Sequence, residues 1–322
     1  MNDRSTLPVF YFNPCIFFID DDLTLLQALE LRFSKSYSCA IFDTPELFLN
    51  FFENYHSPLS KIKFLQSNTA SEDYDLRYSL PINFDISKIS NLEKNKNRFS
   101  EAAVLIIDHH MPQISGLEIC NKLKNYPIKK ILLTGLANNS EVINAFNAGA
   151  IDRYIDKGQP DLFAKLNCHI AELSYDYFYD LSKPMLKNLE SDKIIVLQDP
   201  VFIAYFNQYC EQNDITEFYL INKIGHFLLI DNQGQKSYFV LMSKNNIDYF
   251  VEHNQTAGDN IKTTLLKKML DGELIPFFPD EKECWEIESV DLRSYFYPAK
   301  KLQGRDTYFY AVIKKPRLQL VK

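Results

Sequence analysis

The chain has 322 residues, of which 46% are hydrophobic and 24% charged, and its formal net charge is −7. The length exceeds one ordinary domain core and the composition excludes wholesale disorder, so we expect two folded domains. The negative charge excludes a global positive field toward nucleic acid. No signal-peptide pattern and no run approaching ~18 apolar residues is present, which predicts a cytoplasmic protein that does not contact membranes. The six cysteines are scattered, which favours reduced thiols.

Between residues 15 and 180, short apolar runs alternate with helical patterns, which is typical of a doubly wound parallel sheet with five βα units. Thr44 and Pro45 begin one helix, Gly149 ends another, and a last helix is predicted over 160–180. We therefore expect an α/β domain over residues 1–180. The predicted strands are 16–19, 39–42, 103–107, 131–133 and 153–155.

An insertion of about 45 residues, at about 57–100, separates the second helix from the third strand, where loops are normally under ~6 residues. Apolar side chains recur at every second position over 74–86, and 61–65 is a short strand-like run, which together predict a small β-hairpin. The polar stretch 91–101 favours a mobile loop instead. The sequence does not separate these two alternatives.

Residues 181–322 follow a different pattern, which predicts a C-terminal α+β domain. Asp199 and Pro200 begin a helix, and 227–242 is typical of a hairpin that turns at 231–234. The remaining predicted strands are 193–197, 285–290 and 308–313, and the remaining predicted helices are 247–251 and 261–270, the second of them closed by Gly272.

Residues that end the strands of the predicted parallel sheet carry the chemistry, because ligands bind at the carboxyl ends of such strands. Asp20, Asp21 and Asp22 follow the first strand and Asp108 follows the third. Thr134 follows the fourth strand and Lys157 the fifth. Converging carboxylates repel unless a hard divalent cation holds them, which predicts a Mg²⁺ site.

An aspartate beside such a cation can attack phosphorus and form an acyl phosphate. Lys157 would add a second positive contact and Thr134 a hydroxyl donor. A Mg²⁺-dependent aspartyl phosphatase of the haloacid-dehalogenase type is the alternative class. Such enzymes place a second Asp two residues after the nucleophile, where this chain has His110, so the sequence favours a phosphoacceptor switch over an enzyme.

Four segments, FFIDDD, VLIIDHHMPQISGLE, ILLTG and AGAIDRYIDKG, resemble the CheY-like receiver domains of two-component response regulators. The resemblance implies that Asp108 is the phosphoacceptor and that Asp20 and Asp21 bind metal together with Asp108. It also implies that the backbone carbonyl of His110 completes the metal shell. The implied contacts and switch residues around the phosphoryl group are Thr134, Tyr154 and Lys157.

Two departures from the family pattern follow the strand ends. Gly158 stands where the family commonly has a proline joined by a cis bond, so the loop that carries Lys157 is less firmly held if its peptide is trans. His109 and His110 follow Asp108 and invite a transition-metal hypothesis, which the lack of a third ligand at matching spacing disfavours.

The whole layout resembles the Lqs-type quorum-sensing response regulators of Legionella, which implies a sensor histidine kinase as phosphodonor and control of a density-dependent programme. The family also implies a phosphorylation-dependent homodimer. No output motif is found in residues 181–322. Basic residues accumulate near the end of the chain around Tyr308, Phe309 and Tyr310, which is compatible with a transcriptional regulator that binds nucleic acid or with a solvated basic tail. The basic residues are Lys300, Lys301, Arg305, Lys314, Lys315, Arg317 and Lys322.

Overall fold

The computed structural model describes residues 6–60, 62, 64–67, 82–135, 140–190, 195–256, 263–278 and 292–314. The chain divides into two compact units. One contains residues 11–63 and 92–184, and the other contains residues 1–10, 64–91 and 185–322. The sequence predicts a boundary near residue 181, but it does not predict that residues 1–10 and residues 64–91 of the insertion group with the C-terminal unit.

Strands and helices alternate along the first unit and follow a different order in the second. The strands are β1 (Phe10–Tyr11), β2 (Cys15–Ile19), β3 (Ser38–Phe42), β4 (Leu65–Ser67), β5 (Ile82–Phe84), β6 (Ala102–Asp108), β7 (Lys129–Thr134), β8 (Arg153–Asp156), β9 (Ile215–Leu220), β10 (Phe227–Asp231), β11 (Lys236–Ser243), β12 (Leu274–Pro276), β13 (Phe296–Pro298), β14 (Lys300–Gln303) and β15 (Thr307–Ile313). The helices are α1 (Leu23–Phe33), α2 (Pro45–Glu53), α3 (Ser87–Ser90), α4 (Gly116–Lys122), α5 (Ser140–Asn147), α6 (Leu162–Glu190), α7 (Pro200–Gln212), α8 (Lys244–Thr256) and α9 (Thr263–Leu270).

The first unit contains the predicted parallel sheet, with strand order β3-β2-β6-β7-β8. Each of the five predicted strands is confirmed to within two residues at either end. Strands β2 and β6 are buried along their whole length, as expected of central strands covered on both faces by helices. One face packs on a core formed mainly by aliphatic side chains of β2, β6, β7 and α4, against which α2 also lies. The predicted doubly wound α/β fold is confirmed.

Polar side chains fix where the helices of this unit begin. The carboxylate of Asp22 accepts hydrogen bonds from the backbone N–H groups of Thr24 and Leu25, at 2.8 and 3.2 Å, and so caps α1. Ser115 and Glu118 form a reciprocal capping box at the start of α4. Helix α6 runs to Glu190, so the predicted end near residue 180 is wrong.

In the insertion β4 pairs antiparallel with β5, as a hairpin requires, but β4 begins at Leu65, where the strand-like run predicted over 61–65 ends. Residues 68–81, which carry most of the predicted alternation, lie outside the described residues. The stretch 91–101 forms short 3₁₀ turns rather than the alternative polar loop. Leu92 and Arg98 are buried within those turns.

The second unit is built on a six-stranded sheet with order β1-β9-β10-β11-β15-β14, in which the pairs from β9 through β14 are antiparallel. The predicted hairpin is confirmed as β10–β11, and the carboxylate of Asp231 accepts the N–H groups of Gln233 and Gln235 at its turn, both at 2.9 Å. Together with its helices this sheet confirms the predicted α+β architecture.

Two predicted strands of the second unit are not confirmed. The strand predicted over 193–197 is wrong where the structure describes it, because Ile195–Gln198 is a 3₁₀ helix. The N–H of Asp199 closes that turn on the carbonyl of Val196, at 3.1 Å, just before α7 begins. The strand predicted over 285–290 lies outside the described residues. None of the helices in the described ranges combines the length and the apolar character that a membrane span requires.

Candidate functional site

The carboxyl ends of four adjacent strands bring the predicted site residues to one edge of the parallel sheet. Asp20 follows β2, Asp108 ends β6, Thr134 ends β7 and Lys157 follows β8. These strands are direct neighbours in the order β2-β6-β7-β8, so their ends lie side by side. The backbone N–H of Lys157 donates to the carbonyl of Thr134 at 2.8 Å, which joins the ends of the last two strands.

Three carboxylates converge at this edge. One oxygen each from Asp20, Asp21 and Asp108 lies within 4.8 Å of the others. Asp20 and Asp108 are buried, whereas Asp21 is exposed. The third residue of the acidic run, Asp22, uses its carboxylate to cap α1. The structure thus separates two aspartates that face the pocket from one that starts a helix.

Lys157 places its ammonium group between the two buried carboxylates. Its Nζ lies 2.7 Å from Oδ2 of Asp20 and 2.9 Å from Oδ1 of Asp108. Burial lowers the pKa of Lys157, but the hydrogen bonds and negative charges of Asp20 and Asp108 outweigh it, so the pKa lies above its ordinary value. The lysine is therefore charged at neutral pH and partly neutralises the acidic cluster.

The electrostatics of Asp20 reflect both burial and pairing. Burial raises its pKa, while Lys157 and the backbone N–H of Asp22, which donates to Oδ1 at 3.0 Å, lower it in part. Three carboxylates against one ammonium group leave an excess of negative charge when all are ionised. Oxygen donors of this charge and spacing fit a hard divalent cation such as Mg²⁺, so the residues present match the predicted cofactor.

The chain after Asp108 is tied tightly to the start of α4. His109 donates its N–H to the carbonyl of Leu133 at 2.8 Å, and its own carbonyl accepts the N–H of Gly116 at 3.1 Å. A Cβ on residue 116 would lie only 2.1 Å from the carbonyl oxygen of Asp108. Glycine is thus the residue that lets α4 begin directly against the backbone of Asp108.

The paired histidines do not join the acidic cluster. His109 is buried, and burial together with the neighbouring His110 lowers its pKa, so the ring is neutral near pH 7. The ring of His110 lies beside it, with 4.1 Å between centroids. In the part of the chain that the structure describes, the one group suited to hold a metal contains neither histidine. The backbone carbonyl of His110 stays a predicted ligand.

Thr134 and Tyr154 occupy different environments. Thr134 is fully buried at the end of β7. The side chain of Tyr154 is 39% exposed and its ring lies edge-on to Phe146 of α5, with 6.1 Å between centroids. Tyr154 is therefore directed away from the acidic pocket in this conformation, and its switch role stays a prediction.

Sequence reasoning missed two residues beside the pocket. Gly116 is required by its approach to Asp108, and the capping box around it was the available signal. The carboxylate of Asp156 accepts the N–H of Gly158 at 2.8 Å, an arrangement that the order Asp-Lys-Gly could have indicated. The peptide between Lys157 and Gly158 is trans.

The basic end of the chain does not form an aromatic platform among the described residues. Tyr308, Phe309 and Tyr310 are all buried in the sheet, so they cannot stack on bases. Lys300 and Lys301 are exposed on β14, an edge strand, where lysines discourage pairing with other sheets. Arg305 and Lys314 are also exposed, whereas residues 315–322, which carry Lys315, Arg317 and Lys322, lie outside the described residues.

Comparisons with known proteins agree with this architecture. No protein-family model and no curated protein matches the sequence. Among solved structures, the response regulator LqsR of Legionella pneumophila matches with 27% identity and a TM-score of 0.77, covering 98% of this chain and 91% of that one.

Shorter structural matches cover about half of the chain. A CheY-like receiver domain protein from Methanospirillum hungatei has 20% identity, covers 51% of this chain and 98% of its own, and gives a TM-score of 0.33. The response regulator DrrB of Thermotoga maritima has 22% identity, covers 50% and 54% of the two chains, and gives a TM-score of 0.31. The order of the parallel strands is that of CheY-like domains, and the chain resembles LqsR across its length.

Proposed function

We propose that this protein is a response regulator with a CheY-like receiver domain. In this proposal a phosphoryl group is transferred to Asp108, and the phosphorylated receiver domain controls the C-terminal unit. The observation that carries the proposal is the cluster in which Asp20, Asp21 and Asp108 converge around one pocket while Lys157 contacts two of them. A structural ion pair would need one carboxylate for one lysine. Three carboxylates at strand ends instead suit binding of a cation and a small anion together.

Mg²⁺ would be held by the carboxylates of Asp20, Asp21 and Asp108, with the backbone carbonyl of His110 as a further oxygen ligand. When bound, the cation neutralises charge that develops on the oxygens of the transferring phosphoryl group. Lys157 contributes the other positive charge, and it already lies 2.9 Å from Asp108. The site therefore combines a nucleophile with two sources of positive charge.

The transfer step uses Asp108 as the nucleophile. One carboxylate oxygen attacks phosphorus, a P–O bond forms, and the P–N bond of a phosphohistidine on a sensor histidine kinase breaks. The electron pair of the broken bond returns to the histidine ring, which leaves as the neutral imidazole after it takes up a proton. Lys157 stays protonated throughout and holds the transferred group, and the buried Thr134 hydroxyl is the proposed donor to another phosphoryl oxygen.

Phosphorylation is proposed to change the surface formed by α5, β8 and α6 and to favour a homodimer. Ile143 and Phe146 on α5 are each 42% exposed, and Tyr154 on β8 packs against Phe146. An inward movement of Tyr154 toward Thr134 would remove the ring that now covers Phe146 and change the apolar surface. A ligand shifts such an equilibrium only by binding one conformation more tightly than the other.

The experiment that tests the transfer uses the full chain, Mg²⁺ and acetyl phosphate as a small phosphodonor. We expect a phosphorylated species that is lost when EDTA is added and is absent from Asp108→Asn. Asp22→Asn is the matched control, because Asp22 lies in the same acidic run but caps α1. It should be phosphorylated like the parent protein. An adduct that persists in Asp108→Asn contradicts the proposal.

The dimer proposal has its own measurement. Sedimentation velocity of the protein with and without acetyl phosphate should show a larger dimer fraction after phosphorylation, and Phe146→Ser should reduce that increase. An equal dimer fraction in both states overturns it.

We further propose that the protein acts in the cytoplasm in density-dependent signalling, which the resemblance of its sequence to Lqs-type quorum-sensing regulators supports. What the C-terminal unit binds is a separate question. Nucleic-acid binding as a transcriptional regulator is disfavoured by the net charge of −7 and by the burial of Tyr308 and Tyr310. A salt-dependent shift of genomic DNA fragments by the phosphorylated protein would reverse that preference.

A further inference from the structure

The loop that carries Lys157 begins at the end of β8, and the sheet holds the N-terminal end of this loop. The backbone N–H of Lys157 donates to the carbonyl of Thr134 at 2.8 Å. On the other side the chain enters Gly158, which, lacking a Cβ, has the widest backbone freedom of any residue. The position of Lys157 therefore depends on what holds Gly158.

Asp156 supplies that contact. Its Oδ1 accepts the N–H of Gly158 at 2.8 Å, which closes a turn around Lys157. Its backbone carbonyl also accepts the N–H of Gln159, at 3.3 Å. Asp156 is itself fixed as the last residue of β8, opposite Thr134 in the register. One residue thus connects the rigid sheet to both residues that follow Lys157.

A second contact holds the far end of the loop. The carbonyl of Gln159 accepts the N–H of Leu162 at 3.2 Å, and the side-chain amide oxygen of Gln159 accepts a hydrogen bond from Nζ of Lys165. Both partners belong to the first turns of α6. The loop between β8 and α6 is therefore fixed at its end, and the turn at Asp156 fixes its beginning.

We infer that Asp156 is a positioning residue, which orders the turn at Gly158 and so directs the ammonium group of Lys157 at Asp20 and Asp108. The inference rests on the proposed phosphoryl transfer to Asp108 for its functional consequence. Lys157 reaches the two carboxylates at 2.7 and 2.9 Å, near the short limit for such contacts, so a turn displaced by about 1 Å breaks at least one of them.

The test compares three substitutions of Asp156 in the full chain. Asp156→Asn keeps an oxygen that can accept the N–H of Gly158 but removes the charge. Asp156→Ala removes both the oxygen and the charge. Asp156→Glu keeps the charge but moves its oxygens one methylene further from the turn. If Asp156 positions Lys157, Asp156→Asn should behave like the parent protein in the two readouts below, while Asp156→Ala and Asp156→Glu should be impaired. If Asp156 acts through its charge, Asp156→Glu should behave like the parent and Asp156→Asn should be impaired.

The first readout is the reactivity of the Lys157 amine toward acetic anhydride, followed by mass spectrometry with Lys122 and Lys124 as internal references. The Lys157 side chain is 25% exposed and paired in the parent protein. We expect labelling of Lys157 to rise about fivefold in Asp156→Ala, the scale of losing one net hydrogen bond, and to stay at the parent level in Asp156→Asn. Equal labelling in Ala and parent overturns the inference.

The second readout is the rate of Asp108 phosphorylation by acetyl phosphate with Mg²⁺. It should fall about fivefold in Asp156→Ala and recover in Asp156→Asn. In a Lys157→Met background the Ala substitution should have no further effect, because its action passes through Lys157. An undiminished effect in that background overturns the inference.

Asp231→Ala is the matched control, because Asp231 accepts two backbone N–H groups in a turn of the other unit. It should leave both readouts unchanged. If the parent protein forms no adduct, the proposed function fails. The labelling experiment then still decides whether Asp156 positions Lys157.

Discussion

Gly116→Ala places a methyl group against the backbone of the proposed phosphoacceptor. The new Cβ would lie 2.1 Å from the carbonyl oxygen of Asp108 and 3.2 Å from Cγ1 of Ile107. Asp108 belongs to the central strand of the sheet and pairs with Leu133 of β7, so its carbonyl cannot move away freely. The strain must therefore be taken up by the start of α4 and by the pocket.

The magnitude follows from the overlap. The two groups must separate by roughly 1 Å, and overpacking of this kind costs about 1–3 kcal/mol of unfolding free energy. A displacement of about 1 Å at a reacting group can slow its chemistry by up to about 100-fold. We therefore expect a moderate loss of stability together with a much larger loss of phosphorylation at Asp108.

Urea unfolding measures the first effect, and the rate of adduct formation with acetyl phosphate and Mg²⁺ measures the second. Gly149→Ala is the control, because Gly149 has φ of +68° and a Cβ at that position would meet no atom within 4 Å. That substitution costs about 1–2 kcal/mol through its left-handed backbone and should leave the rate unchanged. A Gly116→Ala protein with the stability and phosphorylation rate of the parent would show that the methyl group is accommodated without moving Asp108.

Three further predictions concern charge, capping and pH. Lys157→Met removes the positive charge that contacts Asp20 and Asp108, so calorimetry should show tighter Mg²⁺ binding. The same variant should accept the phosphoryl group more slowly. Weaker Mg²⁺ binding would contradict this prediction. Asp199→Ala should lower the unfolding free energy by about 2–4 kcal/mol in urea, because the buried carboxylate caps α7 and accepts the N–H of Arg305 at 2.6 Å, whereas Asp199→Asn should lose less. Burial lowers the pKa of His226 to about 4, so the unfolded chain binds its proton first as the pH falls below about 6.5 and stability is lost. Between pH 7.5 and pH 5 this loss should be about 2 kcal/mol in urea titrations, and a pH dependence that is unchanged in His226→Gln would exclude His226 as its source.

The parallel sheet and its acidic edge were predictable because both depend on local patterns. Buried parallel strands are short apolar runs, and side chains that follow them must meet at one edge. Asp20, Asp108 and Lys157 therefore converge as expected. Their distances, and the division of work between Asp21 and the helix cap Asp22, depend on local backbone geometry that the sequence does not display.

Helix α6 shows why its end could not be predicted. Proline normally ends or kinks a helix, because it lacks an N–H and clashes with the preceding turn. Here the buried face runs through Phe178 and Ser182 and continues past Pro184 to Met185, at helical spacing. Packing of that face outweighs the local preference, and only tertiary structure reveals it.

The grouping of residues 64–91 with the C-terminal unit was also hidden, because no local pattern records which core a segment joins. The contact between Asp156 and Gly158 was visible in principle as an Asp-x-Gly turn. Its consequence depends on the contacts of Lys157 with both buried carboxylates, which no local sequence pattern records.

Chemical trapping of the acyl phosphate shows directly whether Asp108 accepts the phosphoryl group. The protein is incubated with acetyl phosphate and Mg²⁺, reduced with borohydride, digested and sequenced by mass spectrometry. Reduction of an aspartyl phosphate yields homoserine, and we predict homoserine at position 108, dependent on Mg²⁺. Homoserine at another aspartate, or none in protein whose fold is verified, would contradict the account.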